Sequence, residues 1–194
     1  MGETSQAQTI STESLQIFQS INDGRGTAFV FSNLGLYSSQ MGSEKEALEY
    51  YQESLMLREL NGDQWGLANV LIPMGAAALS LGDIEKAYQH LMRALRIAHH
   101  MQFLPILVSA MGELAFLFMQ SGDIQRARQM VTLCLSHPSI NRETSEKAKK
   151  RFKHILTNEF IPISNQEVQT EFEQEVKNLL EQEEDFLLRG SMHH

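Results

Sequence analysis

The chain has 194 residues, sixteen basic against twenty-four acidic side chains and a formal net charge of -8, enough for one extended domain with a real core. The charge disfavours general affinity for nucleic acid or anionic lipid, and the lone Cys134 excludes an internal disulfide or a cysteine-rich metal site. With no basic start or apolar stretch of a signal peptide at Met1-Gly2-Glu3-Thr4-Ser5, the expected compartment is a reducing cytoplasm.

Apolar periodicity predicts nine helices, near 8–21, 24–41, 44–60, 64–81, 84–101, 103–121, 124–137, 142–158 and 165–188, with no competing strand signal. The first follows a linker, and residues 1–23 read as that linker plus the second helix of an incomplete repeat. Its Glu13-Ser14-Leu15 through Asp23, Gly26 and Ala28 matches Glu53-Ser54-Leu55 through Asp63, Gly66 and Ala68, forty residues on. Residues 24–137 then read as three repeats of about forty residues. Gly42, Gly82 and Gly122 recur at that spacing, each followed five positions later by Ala47, Ala87 or Ala127. Glycine relieves the end of one helix, Ser43, Asp83 or Asp123 can cap the next, and the alanine permits close packing. Leu55, Leu95 and Leu135 keep the same register.

Small residues at Gly35, Gly75 and Ala115, preceded by Leu34, Met74 and Leu114, complete a pattern that resembles the tetratricopeptide repeat. The resemblance covers roughly residues 13–137. It implies an all-α fold, a right-handed superhelical solenoid of antiparallel helix pairs, serving protein–protein interaction without catalysis. The period of forty departs from the family's usual thirty-four, and an aromatic four places before the small residue is present only at Phe31, with Leu71 and Met111 later. The long period, and wording such as Glu53-Ser54-Leu55-Met56-Leu57-Arg58-Glu59-Leu60-Asn61-Gly62-Asp63, is similar to the C-terminal repeats of bacterial STAND-class ATPases and LuxR-type regulators. That similarity implies a sensing module of a larger bacterial signalling or transcriptional regulator.

The run from Phe103 to Met119 approaches the length of a membrane span, yet holds Ser109 and Glu113, keeps the repeat register, and reads as a helix buried between neighbours. Residues 138–188 are expected to cap the array. Ser164 and Glu167 form a capping-box pattern, and Val168, Phe172, Val176 and Leu179 fall at helical spacing, the alternative to capping being dimerisation through this helix. Residues 189–194 read as a cloning and tag remnant.

No chemistry-bearing pattern competes with binding. His90, His99, His100, His137 and His154 form no i, i+4 pair, so no metal is expected, and no cofactor-binding motif is present. Cys134 lies on a packing face, and no nucleophile elbow or phosphate loop occurs. The basic residues Lys147, Lys149, Lys150, Arg151 and Lys153 read as a solvated helix surface, with an acidic partner domain or nucleic acid as the alternative. In the resembled family the first helix of each repeat lines a concave groove. The matching positions are Phe29, Ser32, Asn33, Leu36, Asn69, Ile72, Pro73, Ala76, Leu79, Ser109, Gly112, Glu113, Phe116 and Met119. Lacking lysine and arginine, this surface excludes the carboxylate-clamp mode of that family. Pro73 removes the N–H that would bond the Asn69 carbonyl and tends to bend its helix. The expected ligand is a peptide or protein segment, of a partner or of another domain of a parent protein, held by apolar contacts and the Asn33 and Asn69 amides. The alternatives are a self-associating structural module, a homodimer in which the N-terminal end stacks on another copy, and a groove covered by the superhelix itself or by the C-terminal helix.

Overall fold

The computed structural model describes residues 2–137, 140, 142–156 and 165–191. Among them regular structure is entirely helical, in nine elements: α1 (Gly2–Ser20), α2 (Gly24–Gln40), α3 (Glu44–Leu60), α4 (Gln64–Ser80), α5 (Ile84–His100), α6 (Leu104–Gln120), α7 (Ile124–Ser136), α8 (Arg142–Arg151) and α9 (Asn165–Ser191). The chain divides into two compact units, Met1–Ile97 and Ala98–His194.

The repeat is finer than forty residues. Left-handed backbone occurs at Asn22, Gly42, Gly62, Gly82, Gln102 and Gly122, one every twenty residues. After each, the next N–H reaches back to a carbonyl five residues earlier, as from Asp23 to Phe18, Ser43 to Ser38, Asp63 to Arg58 and Asp123 to Phe118, at 2.8–2.9 Å. That bond across a left-handed residue closes a helix C-terminus as a Schellman motif. The residue that closes one helix also opens the next. The carboxylates of Asp23, Asp63, Asp83 and Asp123 accept from the N–H three residues on, at Gly26, Gly66, Lys86 and Arg126, with distances of 2.9–3.1 Å. Ser43, expected to cap α3, makes no side-chain cap bond. Phe103 cannot cap with its side chain, and Pro105 sits where the first turn of α6 needs no N–H.

In the first unit α1 packs on α2, α2 on α3 and α3 on α4, with α2 also touching α4. Small residues set the spacing. A Cβ added at Gly35 would lie 2.5 Å from Tyr51 Cε1, and one at Gly75 would lie 2.6 Å from Leu91 Cγ. In the second unit α6 packs on α7, and the same register pairs Ala115 with Val131, both buried. The small residue therefore grows as its partner shrinks, from glycine facing tyrosine or leucine to alanine facing valine. Isolated 17-residue helices are marginal in water. Burial of residues such as Leu71, Leu91 and Leu114, about 2 kcal/mol each, stabilises them.

Helices α8 and α9 both pack on α7. The stripe Val168, Phe172, Val176 and Leu179 of α9 is buried. Helix α8 stops at Arg151, short of the expected 158, as residues 152–155 tighten into turns. Its departure is fixed by Arg128, whose Nε donates to the Ile155 carbonyl at 2.8 Å. Helix α1 starts at Gly2 instead of near residue 8, since the polar opening lacks apolar periodicity but contains no helix breaker. Ser164 and residues 192–194 lie outside the described residues.

Candidate functional site

Helix α2 presents Phe29, Asn33 and Leu36 within about 60° of one another at 100° per residue. Phe29 and Leu36 remain 59% and 46% exposed. Phe29, Val30, Asn33 and Tyr37 face Ile10, Ser11, Ser14 and Phe18 of α1 across a groove of about 330 Å³. None of these eight residues is charged. Two expected groove residues, Phe29 and Asn33, therefore come together in a cleft whose other wall is α1.

Ser32 turns elsewhere. Its Oγ lies 2.7 Å from Ser54 Oγ of α3 and accepts from Arg58 Nη2 at 3.3 Å. Ser54, fully buried, donates to the Ala28 carbonyl at 2.7 Å and accepts from Arg58 Nε at 3.0 Å. Arg58 Nη1 completes the network with a 2.7 Å ion pair to Asp63, whose other oxygen caps α4. One buried guanidinium thus ties α2, α3 and the start of α4 together. Gly66 makes room for it: a Cβ there would fall inside the Arg58 guanidinium and the Asp63 carboxylate. In the preceding repeat Phe18 occupies the corresponding place against Gly26. Sequence reasoning missed Arg58 as a structural centre, although the register aligning it with Phe18 and Ala98 marks an arginine on an apolar line.

On α4 the expected face separates. Asn69, Pro73 and Ala76 stay close in angle, and Ile72, Pro73 and Ala76 are half-buried. Leu79 does not belong with them: it is buried in the core, being some 80° away from Asn69 around the helix. The Asn69 amide donates to the Trp65 carbonyl at 2.9 Å, one turn back in its own helix. Helix α4 runs unbroken from Gln64 to Ser80 through Pro73.

In the second unit the expected groove residues Glu113 and Phe116 are covered from within. Arg151 makes a two-pronged pair with Glu113, Nη1 to Oε1 at 2.6 Å and Nη2 to Oε2 at 2.9 Å. Its guanidinium carbon stands 3.8 Å from the Phe116 ring centroid, and Phe152 meets Phe116 edge-on at 6.3 Å. These contacts correct two expectations. Glu113 and Phe116 are not an open binding face, and Arg151 is not merely a solvated member of a basic helix. Ser109 is exposed, and Gly112 has open space at its Cβ position.

The remaining chemistry is that of packing. Burial pushes the Cys134 thiol up to about 12, where the nucleophilic thiolate is not populated near neutral pH, and its Sγ donates to the Val108 carbonyl at 3.7 Å. Burial, then the Glu44 charge, raises the Tyr51 phenol to about 12. Among the described residues no cluster of three or more His, Cys, Asp or Glu is placed to hold a metal ion. No helix among them is long and apolar enough to cross a membrane.

Comparison with known proteins bears on this arrangement. Residues 30–59, the α2–α3 pair and its turn, match the family profile described as Tetratricopeptide repeat. Photosystem I assembly protein Ycf3 of Prochlorococcus marinus (strain MIT 9312) is 33% identical over 83 residues, 41% of this chain and 48% of the relative. The chain thus spans about half the length of the curated relative it matches. The crystal structure of BtubC (BKLC) from P. vanneervenii is similar with a TM-score of 0.68 and 16% identity, over 99% of this chain and 75% of that one.

Proposed function

From the premise that this is a chain of tetratricopeptide repeats, we propose that it is a non-catalytic protein–protein interaction module whose binding face in the first unit is the α1–α2 groove and its rim. The observation that carries the reading is the neutral, uncovered surface around Phe29 and Leu36, bounded by a helix pair locked rigid by Arg58. Large apolar residues exposed together on a preformed groove suit a protein segment, and the absence of charge from the lining argues against an acidic or phosphorylated ligand. A relative named as an assembly protein is in keeping with a scaffold that works by contact. The forty-residue period supports the finer reading: a cytoplasmic repeat region of a larger bacterial signalling or transcriptional regulator, sensing a segment of a partner or of another domain.

The test is photo-crosslinking. A benzophenone amino acid replacing Phe29 is expected to link to one defined protein in extract of the source cells, while the same group at Leu60, 79% exposed at the end of α3, does not. Equal labelling from both positions would refute a specific face at α1–α2, and links only between copies of the chain would favour self-association.

A further inference from the structure

In the second unit the Arg151 guanidinium rests in a cradle made of a carboxylate and two aromatic rings. Its Nη1 and Nη2 reach the two Glu113 oxygens of α6, and its central carbon stands 3.8 Å from the Phe116 centroid and 5.8 Å from that of Phe152. The paired oxygens match a planar guanidinium, and both rings lie within reach of its charge. We propose that this cradle is a receptor for an arginine side chain of a partner protein, and that Arg151 is its exchangeable resident, an internal stand-in that the partner displaces. The surface is separate from the α1–α2 groove and does not depend on it.

Arg58 and Arg151 show the difference between a lock and a resident. Arg58 is buried, and its bonds to Ser32, Ser54 and Asp63 tie three elements together. The Arg151 side chain keeps 36% exposure, and the chain around it is fixed by other means. Phe152 and Ile155, directly downstream, are buried, and the Ile155 carbonyl accepts from Arg128 Nε at 2.8 Å. No described residue of α8 upstream of Arg151 is buried. The guanidinium can therefore swing into solvent while Phe116 and Phe152, edge-on at 6.3 Å, keep the walls of the cradle in place.

The cradle also opens onto accessible surface. At 100° per residue Ser109, Gly112, Glu113 and Phe116 share one side of α6. Ser109 is exposed, and a Cβ at Gly112 would meet nothing within 4 Å. A partner main chain can approach α6 there, one turn before the cradle, with its arginine reaching Glu113. Charge and shape select that side chain. Lysine offers a point charge that does not pair both oxygens in one plane, and a neutral side chain would leave the Glu113 carboxylate, 19% exposed, without a counter-charge. Arg151 competes from within the same chain at an effective concentration on the order of millimolar. The parent protein therefore favours a partner that adds contacts along Ser109 and Gly112.

Amide NMR on the full chain, titrated with the acetylated and amidated peptide Gly-Ser-Arg-Ser-Gly, tests this. In Arg151→Ala, confirmed as folded by circular dichroism, saturable shifts at Ser109–Phe116 and Phe152 are expected. The same peptide with lysine in place of arginine should bind at least about tenfold more weakly, and adding Glu113→Gln should abolish the shifts. The parent chain should bind the arginine peptide at least about tenfold more weakly than Arg151→Ala, and its Arg151 Nε–H resonance should move toward that of a solvated arginine as the peptide binds. No saturable shift in Arg151→Ala, an equal response to the lysine peptide, binding that survives Glu113→Gln, or equal affinity in parent and Arg151→Ala would overturn the proposal. Loss of the fold in Arg151→Ala would overturn it too, by making Arg151 a lock. A dimer of Arg151→Ala in sedimentation equilibrium that Glu113→Gln dissociates would replace the separate partner with a second copy and so refute the assignment.

Discussion

Replacing Arg58 tests whether the buried guanidinium is a structural lock. In Arg58→Ala the Asp63 carboxylate loses its ion pair, Ser54 and Ser32 lose a donor, and a cavity opens between α2 and α3. Breaking a well-buried pair by removing one partner costs 3–5 kcal/mol as a rule, and since the Asp63 side chain keeps 23% exposure and its cap to Gly66, the lower end applies, about 3 kcal/mol. For a chain of this size that corresponds to a fall in Tm of about 6–12 °C. Arg58→Phe should behave differently. The preceding repeat places Phe18 against the same Asp-x-x-Gly turn, at Asp23 and Gly26, so the aromatic ring fits the site and needs no ion pair. Its expected cost is smaller, about 1–2 kcal/mol, because the ring fills the cavity while Asp63, partly exposed, keeps its cap to Gly66 without the ion pair. Urea unfolding followed by circular dichroism, with amide exchange in α2–α4 as a local readout, measures both. Arg58→Ala within about 0.5 kcal/mol of the parent, or Arg58→Phe as damaging as Arg58→Ala, would refute the reasoning.

Three further outcomes follow from the same geometry. Gly35→Ala should destabilise by about 1–3 kcal/mol through the clash with Tyr51, and in Tyr51→Val, which copies the pairing of Ala115 with Val131, the glycine substitution should cost markedly less; a double-mutant cycle in urea showing strict additivity would contradict this. Gln102→Gly should stabilise by about 0.5–1 kcal/mol by relieving a left-handed backbone, the bond from its Nε2 to the His99 carbonyl at 2.8 Å being the compensation it forfeits; thermal unfolding decides the sign. Burial holds the His137 imidazole below the ordinary histidine value, against an opposing pull from Glu173. As pH falls below about 6.5 the unfolded chain therefore takes up the proton first and stability is lost until the folded imidazole protonates too. His90, also lowered by burial, acts in the same direction, so His137→Gln should flatten the fall in urea midpoint between about pH 7 and 5 without abolishing it.

Much of the architecture was legible because the turns carry their own chemistry: Gly42, Gly82 and Gly122 mark left-handed positions, and Asp83 and Asp123 mark the following caps. The twenty-residue half-period was harder to read. Asn22 and Gln102 adopt left-handed backbone without being glycine, so two of its six marks are disguised. The candidate face was read by register, and Phe29, Asn33 and Leu36 share one side of α2, Phe29 and Leu36 exposed and Asn33 half-buried. It fails for Leu79, where the accumulated angle turns the side chain inward, and for Ser32, which Arg58 draws toward α3. Glu113, Phe116 and Arg151 were illegible for another reason. Their contacts join residues about forty positions apart through the path of α8, and no local pattern states that a basic helix will lay one arginine over an aromatic ring.

The central claim, that the α1–α2 face receives a protein segment, is tested most directly by amide hydrogen exchange on the full chain with and without the partner captured by crosslinking from position 29. Slowed exchange confined to Ile10–Phe18 and Phe29–Tyr37 is the predicted result. Unchanged exchange in those two segments, or protection spread evenly along the chain, would contradict the account.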